Sequence, residues 1–181
     1  VSALQLLDPV RFVGSRNCYE ARPVGARRGI MLHFDDSSND RSAEAWFHDP
    51  ACHVSYNRLY LDDGSVVQIT PSMESAAWHA GVCLTKNANR VYYGLSAATD
   101  TKTPATTKQL EAIAHDCAAL FALNKWPAAD VTRRIVGHED EACFDNGKLG
   151  RKIDPTGYHP DRPILSKLAV RHRVLELLEA V

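Results

Sequence analysis

Net charge is what this chain has least of. Its 181 residues hold 21 Lys and Arg against 22 Asp and Glu, a formal balance of −1. A global basic field pulling it onto nucleic acid or an anionic membrane is therefore excluded. Two basic clusters, Arg27-Arg28 and Arg171-His172-Arg173, are too short to act as nucleic-acid arms. Long apolar runs are missing as well, and nothing approaches the ~20 residues of a membrane-spanning helix. The five cysteines are odd in number and include no CxxC pair, which is not the spacing of a disulfide framework. Free thiols in a reducing compartment are the expectation, with a single bridge through Cys18 or Cys143 left open. Val1–Asp8 has no basic start, so it does not read as a signal peptide, and synthesis in the cytoplasm is expected. No repeat, low-complexity tract or linker interrupts the chain, which reads as one domain over residues 1–181.

What is present is a series of short apolar segments with sharp punctuation. Hydrophobic residues make up 45% of the chain, enough at this length to build a real core. Residues 1–28 read as irregular, broken by Pro9, Pro23 and Gly25. Residues 29–34 form a buried strand. An exposed loop rich in Asp, Ser and Asn follows at 35–40, then a helical turn or two at Ser42–Phe47. Val54–Leu61 and Val66–Thr70 flank Asp62-Asp63-Gly64-Ser65 and form a hairpin. Arg90–Ala97 reads as a further strand.

After Thr103-Pro104, residues Leu110, Ile113, Ala114, Cys117, Leu120 and Phe121 fall on one stripe of a helix packed on a sheet. Residues 134–138 make another strand and 139–163 a long loop. A last helix over 163–180 carries Leu165, Leu168, His172, Leu175 and Leu178 on one face. The class that follows is α/β.

His33 and His138 each close an apolar strand on an imidazole, and Lys152-Ile153-Asp154-Pro155 follows the second. Strand ends are where an open α/β sheet presents its chemistry. Two His and one carboxylate are three of the four ligands of an open zinc site, with one position left for water. Zinc lowers the pKa of such a water from about 15.7 to roughly 7, so metal-assisted hydrolysis is the leading reading. Either His alone reads as an ordinary surface or core imidazole. The pair, followed by the Asp154 element, shifts the balance toward a metal.

Met31-Leu32-His33, the Tyr56–Val67 hairpin with Asp63-Gly64, Ala77-Trp78-His79-Ala80-Gly81, Val136-Gly137-His138 and Gly150-Arg151-Lys152-Ile153-Asp154-Pro155 occur in that order. In this the chain resembles the zinc-dependent N-acetylmuramoyl-L-alanine amidases, a family that includes peptidoglycan recognition proteins and phage amidase lysozymes. The likeness runs over about residues 29–160. It implies a single domain with a mixed central β-sheet flanked by helices and a zinc site at one sheet edge. It also implies that Zn2+ is held by His33, His138 and Asp154. Some phage members carry a Cys where Asp154 stands. Cys143 does not correspond to it, because it precedes the Gly-Arg-Lys segment. Asp154 follows His138 by 16 positions, a spacing longer than the family's, with about Cys143–Leu149 as the extra stretch.

The branches of this family differ in their acid/base. Cytosolic muropeptide amidases carry a Glu on the strand that here reads Tyr92-Tyr93-Gly94-Leu95-Ser96, and Ser96 takes its place. The phage branch uses a Tyr in the first hairpin strand instead. Tyr56 matches it, seven residues before Asp63 and eight before Gly64. A phenol has an ordinary pKa near 10 and is a weak base unless a cation's field lowers it. Tyr60 shares the strand parity of Tyr56 but lies about 13 Å further on, so only one of the two can reach the metal.

Lys152 stands two residues before Asp154, and an extended segment would point both side chains the same way. The resemblance gives the matching Lys the task of stabilising charge on the scissile carbonyl. Tyr56 and Lys152 are thus the candidate catalytic pair. Trp78 and His79 are expected to line a substrate cleft, with structural burial of Trp78 equally open. Asp35, Asp36, Asp40, His48 and His53 are further candidates for the groove edge. Glu139 and Asp140 are candidate partners for the second ring nitrogen of His138.

The implied reaction is hydrolysis of the amide between the lactyl group of N-acetylmuramic acid and L-alanine of the peptide stem. Peptidoglycan would be the partner, with no nucleic acid, no membrane insertion and a monomeric enzyme. Tyr56 with Ser96 leans toward a phage or prophage endolysin made in the cytoplasm and acting on the cell wall. Two rivals stand beside it: a cytosolic muropeptide-recycling amidase, and a non-catalytic peptidoglycan-binding module that would keep the groove and lose a ligand.

Overall fold

Eight strands and six α-helices organise residues 4–20, 27–37, 39–158 and 161–181, which the computed structural model describes. The strands are β1 (Arg11–Phe12), β2 (Cys18–Tyr19), β3 (Gly29–Phe34), β4 (Arg58–Tyr60), β5 (Val66–Gln68), β6 (Ala76–Ala77), β7 (Tyr92–Ala97) and β8 (Ile135–Gly137). The helices are α1 (Asp40–His48), α2 (Ala88–Val91), α3 (Thr107–Leu123), α4 (Val131–Arg134), α5 (His138–Glu141) and α6 (Lys167–Glu179). A six-stranded sheet runs in the order β1-β5-β4-β7-β3-β8, and β2 and β6 form a separate pair. The β4–β5 pair is antiparallel, while β1–β5, β4–β7, β3–β7 and β3–β8 are parallel. This is the mixed α/β sheet the sequence suggested.

Period-two alternation on β3 sends its apolar residues to both faces. Ile30 and Leu32 join Leu95 under α3 and α6, packed with Ile113, Phe121, Val170 and Val174. Met31 lies in a second cluster with Ala80, Ala88 and Tyr92. Each fully buried Val, Leu, Ile or Phe adds roughly 1.5–3 kcal/mol of transfer free energy. Helix α3 starts with a capping box, Thr106 and Gln109 satisfying each other's amides. The Gln109 side chain also donates to the carbonyls of Tyr60 and Ala98, at 3.0 Å each, tying α3 to the sheet.

Several local expectations are corrected. Residues 4–20 contain β1 and β2, two short strands with no periodicity to read; Pro23 and Gly25 lie outside the described residues. The 90–97 segment begins with a helical turn, α2, before β7. The last helix buries Val170 and Val174, whereas Leu168 is 76% exposed and His172 points outward. Leu165 is buried and Leu175 and Leu178 pack half-buried against the same core, so the expected stripe holds except at Leu168 and His172, with Val170 and Val174 added to it.

Tyr56 and Tyr60 do not share a face. Tyr60 donates to buried Asp116 at 2.7 Å on the α3 side, while Tyr56 packs with Phe47 and Leu59 on the other. Regular pairing of β4 begins only at Arg58, so the alternation assumed from Tyr56 onward fails. No helix among the described residues is long and apolar enough to cross a membrane.

Candidate functional site

Parallel pairing of β3 with β8 matches Ile30 to Ile135 and Leu32 to Gly137, so His33 and His138 come next in register at the strand ends. Strand β8 is the edge of the sheet and β3 its neighbour. Asp154 reaches them from the loop after α5. Gly137 permits this approach, since a Cβ there would lie 2.6 Å from Cδ of Pro155. The backbone N–H of Glu139 donates to the Asp154 carbonyl at 2.8 Å and fixes the loop at Asp154 itself.

The three side chains converge. Oδ2 of Asp154 lies 2.8 Å from Nδ1 of His33 and 3.1 Å from Nδ1 of His138. One ligand atom from each can be chosen so that all lie within 4.8 Å of one another, and all three residues are buried. Burial works to raise the Asp154 carboxyl, but its bonds to His138 and His33 hold it well below the ordinary range. Burial pushes the His33 imidazole down to about 4, against the opposing pull of Asp154. Both groups are therefore in the unprotonated form that a metal requires.

A cation fits this donor set for a specific reason. Nε2 of His138 lies 2.9 Å from the Ala80 carbonyl oxygen, which only accepts, so Nε2 carries a proton. In a ring whose one proton is on Nε2, the lone pair of Nδ1 faces the Asp154 carboxylate. Two lone pairs facing each other in a buried site repel unless a second proton or a metal stands between them.

The site opens into a cleft of about 430 Å³ lined by Asp35, Asp36, His53, Tyr56, Trp78, His79, His138, Lys152, Asp154 and Tyr158 among others. The Tyr56 ring centroid is 4.9 Å from that of His33. Burial, followed by the charges of Asp154 and Asp35, pushes the phenol well above its ordinary pKa, so Tyr56 is a neutral hydrogen-bond donor. Ser96 pairs with His33 across β3 and β7 and is fully buried. Lys152 is exposed on the cleft wall, and its charge contributes to lowering the His33 pKa.

Trp78 is half-buried, stacked on His53 with ring centroids 6.5 Å apart and tilted against Tyr19 at 5.5 Å. His79 is only 4% exposed, and its Nδ1 lies 2.9 Å from Nε2 of His33. Its nearest polar contact is thus a candidate ligand. Gly94 makes room for it, because a Cβ there would stand 2.7 Å from Cγ of His79.

Of the other candidates, Asp35, Asp36 and His53 line the cleft and His48 does not. The Asp40 side chain lies outside the described residues. Glu139 and Asp140 do not take the outer nitrogen of His138, which Ala80 already occupies. Glu139 instead accepts from the amide (3.0 Å) and hydroxyl of Thr156, and Lys167 bridges both carboxylates at 2.7 Å. The extra stretch forms a small antiparallel turn, Cys143 bridging to Leu149, on the cleft's flank. Sequence reasoning missed Asn89, whose side chain accepts from the amides of His79 and Ala80. A lone Asn in a polar loop gives no signal of its own.

Comparison with known proteins agrees with this geometry. The family model described as N-acetylmuramoyl-L-alanine amidase matches residues 21–157. No curated protein matches the sequence. A selenomethionine derivative of AmpD is 21% identical with a TM-score of 0.70, covering 96% of this chain and 98% of that one. The Staphylococcus aureus hydrolase AmiA is 14% identical with a TM-score of 0.68, over 97% and 85% of the two chains. The Ph2119 endolysin from a Thermus scotoductus bacteriophage is 20% identical with a TM-score of 0.56, over 86% and 89%. At these identities the three solved structures establish a shared fold. The family match spans most of the sequence and includes both histidines and the aspartate, and on that ground the chain belongs to the N-acetylmuramoyl-L-alanine amidase family.

Proposed function

We propose that this amidase is a zinc-dependent peptidoglycan hydrolase that cleaves the bond between the N-acetylmuramic acid lactyl group and L-alanine. The observation that carries the reading is the convergence of His33, His138 and Asp154, the latter two lining the cleft and His33 buried behind them. Zinc held there would supply an acidified water and a Lewis acid for the amide carbonyl.

The chain's own residues supply the rest. Tyr56, kept neutral by burial, donates a hydrogen bond to oxygen as negative charge builds on it. The Lys152 ammonium adds a positive charge on the same wall of the cleft. Trp78 offers a flat apolar face for sugar or peptide, and Asp35 and Asp36 edge the opening. The presence of all three ligand side chains supports an enzyme over a mere binding module. Ser96 beside His33, with Tyr56 at hand, supports the endolysin branch over muropeptide recycling, with action on the bacterial cell wall.

The test is amine release from purified peptidoglycan, with and without a chelator, compared with His33→Ala. Activity that survives both treatments overturns the proposal. Comparing intact sacculi with soluble muropeptides separates the two roles. A strong preference for the soluble substrate would favour recycling.

A further inference from the structure

We propose that Asn89 is a positioning residue of the metal centre, locking the His79-Ala80 backbone that receives the outer ring nitrogens of both His33 and His138. The inference rests on the metal reading above. Oδ1 of Asn89 accepts the His79 N–H at 2.9 Å and the Ala80 N–H at 2.7 Å. Two consecutive amides on one oxygen fix the dipeptide, since rotation about either residue breaks a bond.

Two acceptors project from that dipeptide. Nδ1 of His79 lies 2.9 Å from Nε2 of His33, and the Ala80 oxygen lies 2.9 Å from Nε2 of His138. Each ring therefore faces Asp154 through Nδ1 and the dipeptide through Nε2. A metal needs the Nδ1 lone pair, and that pair is available only when the proton sits on Nε2. Ala80 dictates this tautomer at His138, because a carbonyl cannot donate. At His33 the metal-binding tautomer requires that Nε2 donate to Nδ1 of His79, which in turn requires the His79 proton on its own Nε2. The His79 ring is buried and also meets the Tyr92 backbone, which holds it in place beside His33.

Asn89 is itself anchored. It lies in α2, where the Arg27 guanidinium donates to the carbonyls of Asn89 (3.3 Å), Arg90 (3.2 Å) and Tyr92 (3.1 Å). Arg151 adds a second donor to the Ala80 oxygen at 2.8 Å. One amide side chain, 56 and 49 positions away from His33 and His138, thus sets the orientation of both.

The test is zinc affinity, measured by competition with a chromophoric chelator, for wild type, Asn89→Ala and Asn89→Asp. Thermal unfolding of each metal-free protein is followed in parallel. Asn89→Ala is expected to bind zinc up to about 10-fold more weakly, at the low end of the cost of losing a ligand histidine's direct outer partner, because Asn89 acts through His79 and Ala80. Asn89→Asp keeps an acceptor oxygen and is expected to recover most of that loss. In zinc-loaded wild type, long-range 1H–15N spectra are expected to place the protons of His33 and His138 on Nε2.

Unchanged affinity in Asn89→Ala overturns the role of Asn89, as does an Nδ1 proton on either ring. Equal weakening in both variants, tracking equal loss of stability, reduces Asn89 to a fold residue and also overturns it. A wild type that binds no zinc removes the metal reading itself, a distinct failure. Should Asn89→Ala not fold, the pair His79→Asn and His79→Phe carries the same test. The first keeps an acceptor near the Nδ1 position and should bind zinc more tightly than the second; equal affinities sink the idea.

Discussion

Glu139 holds Asp154 in place from two directions. Its amide donates to the Asp154 carbonyl at 2.8 Å, and its carboxylate accepts the amide of Thr156, two residues further on, at 3.0 Å. Lys167 of α6, ten residues beyond the family match, completes the clamp at 2.7 Å. Replacing Glu139 with Ala leaves the Thr156 amide and the Lys167 ammonium without this partner. The expected cost is about 1–3 kcal/mol in denaturant unfolding, with weaker zinc retention on dialysis. Wild-type stability and zinc content in this variant would remove the clamp from the account.

Tyr56→Phe removes one hydroxyl from the cleft and none of the proposed ligands. With Tyr56 neutral and donating, kcat is expected to fall about 10²- to 10³-fold, the range for losing one donor to a developing oxyanion. Zinc content should not change. Retention of full turnover would assign Tyr56 to packing against Phe47 and His33 alone.

Lys152→Met keeps the apolar stem and deletes the charge. Because Lys152 is exposed, thermal stability should stay within about 0.5 kcal/mol of wild type while kcat/KM drops. Raising salt should not rescue the variant. Activity equal to wild type would make Lys152 a solvated surface residue.

Burial raises the Asp35 carboxyl to about 6, against hydrogen bonds from Ser37 and Thr99 that pull it down. The folded chain therefore binds more protons than the unfolded one between about 4 and 6. Stability from this group is present below the unfolded pKa and is lost as pH rises through about 6. Asp35→Asn keeps an acceptor for the Thr99 amide and cannot ionise. It should gain roughly 1–3 kcal/mol over wild type at pH 7 and nothing at pH 4. A gain that is the same at both pH values contradicts the assignment.

Much of the centre was legible in the sequence. Strands ending on His33 and His138 are short apolar runs, and hydrophobic periodicity reads them directly. Asp154 followed from ligand chemistry and from the Gly-Arg-Lys segment. The α3 stripe from Ile113 to Phe121 also held, because buried helix faces repeat at fixed spacing. The α6 stripe held at Leu165, Leu175 and Leu178 and failed at Leu168 and His172, while Val170 and Val174, outside the leucine spacing, fill the core. Parity from Tyr56 to Tyr60 failed because the backbone at Asn57 departs from regular alternation.

By itself, then, the chain's order of residues determined the candidate ligand types, the strands that carry two of them, and the α/β class. These depend on local propensity and on the chemistry of single side chains. Only the tertiary structure decided how the candidate ligand rings are oriented. The partners of His33 and His138 are His79 and the Ala80 carbonyl, and the partner of that dipeptide is Asn89. A hydrogen bond needs an atom within about 3 Å, and folding brings those atoms together from separate segments. A backbone carbonyl leaves no mark in a sequence, so its contact with the His138 ring appears only once the chain has closed around it.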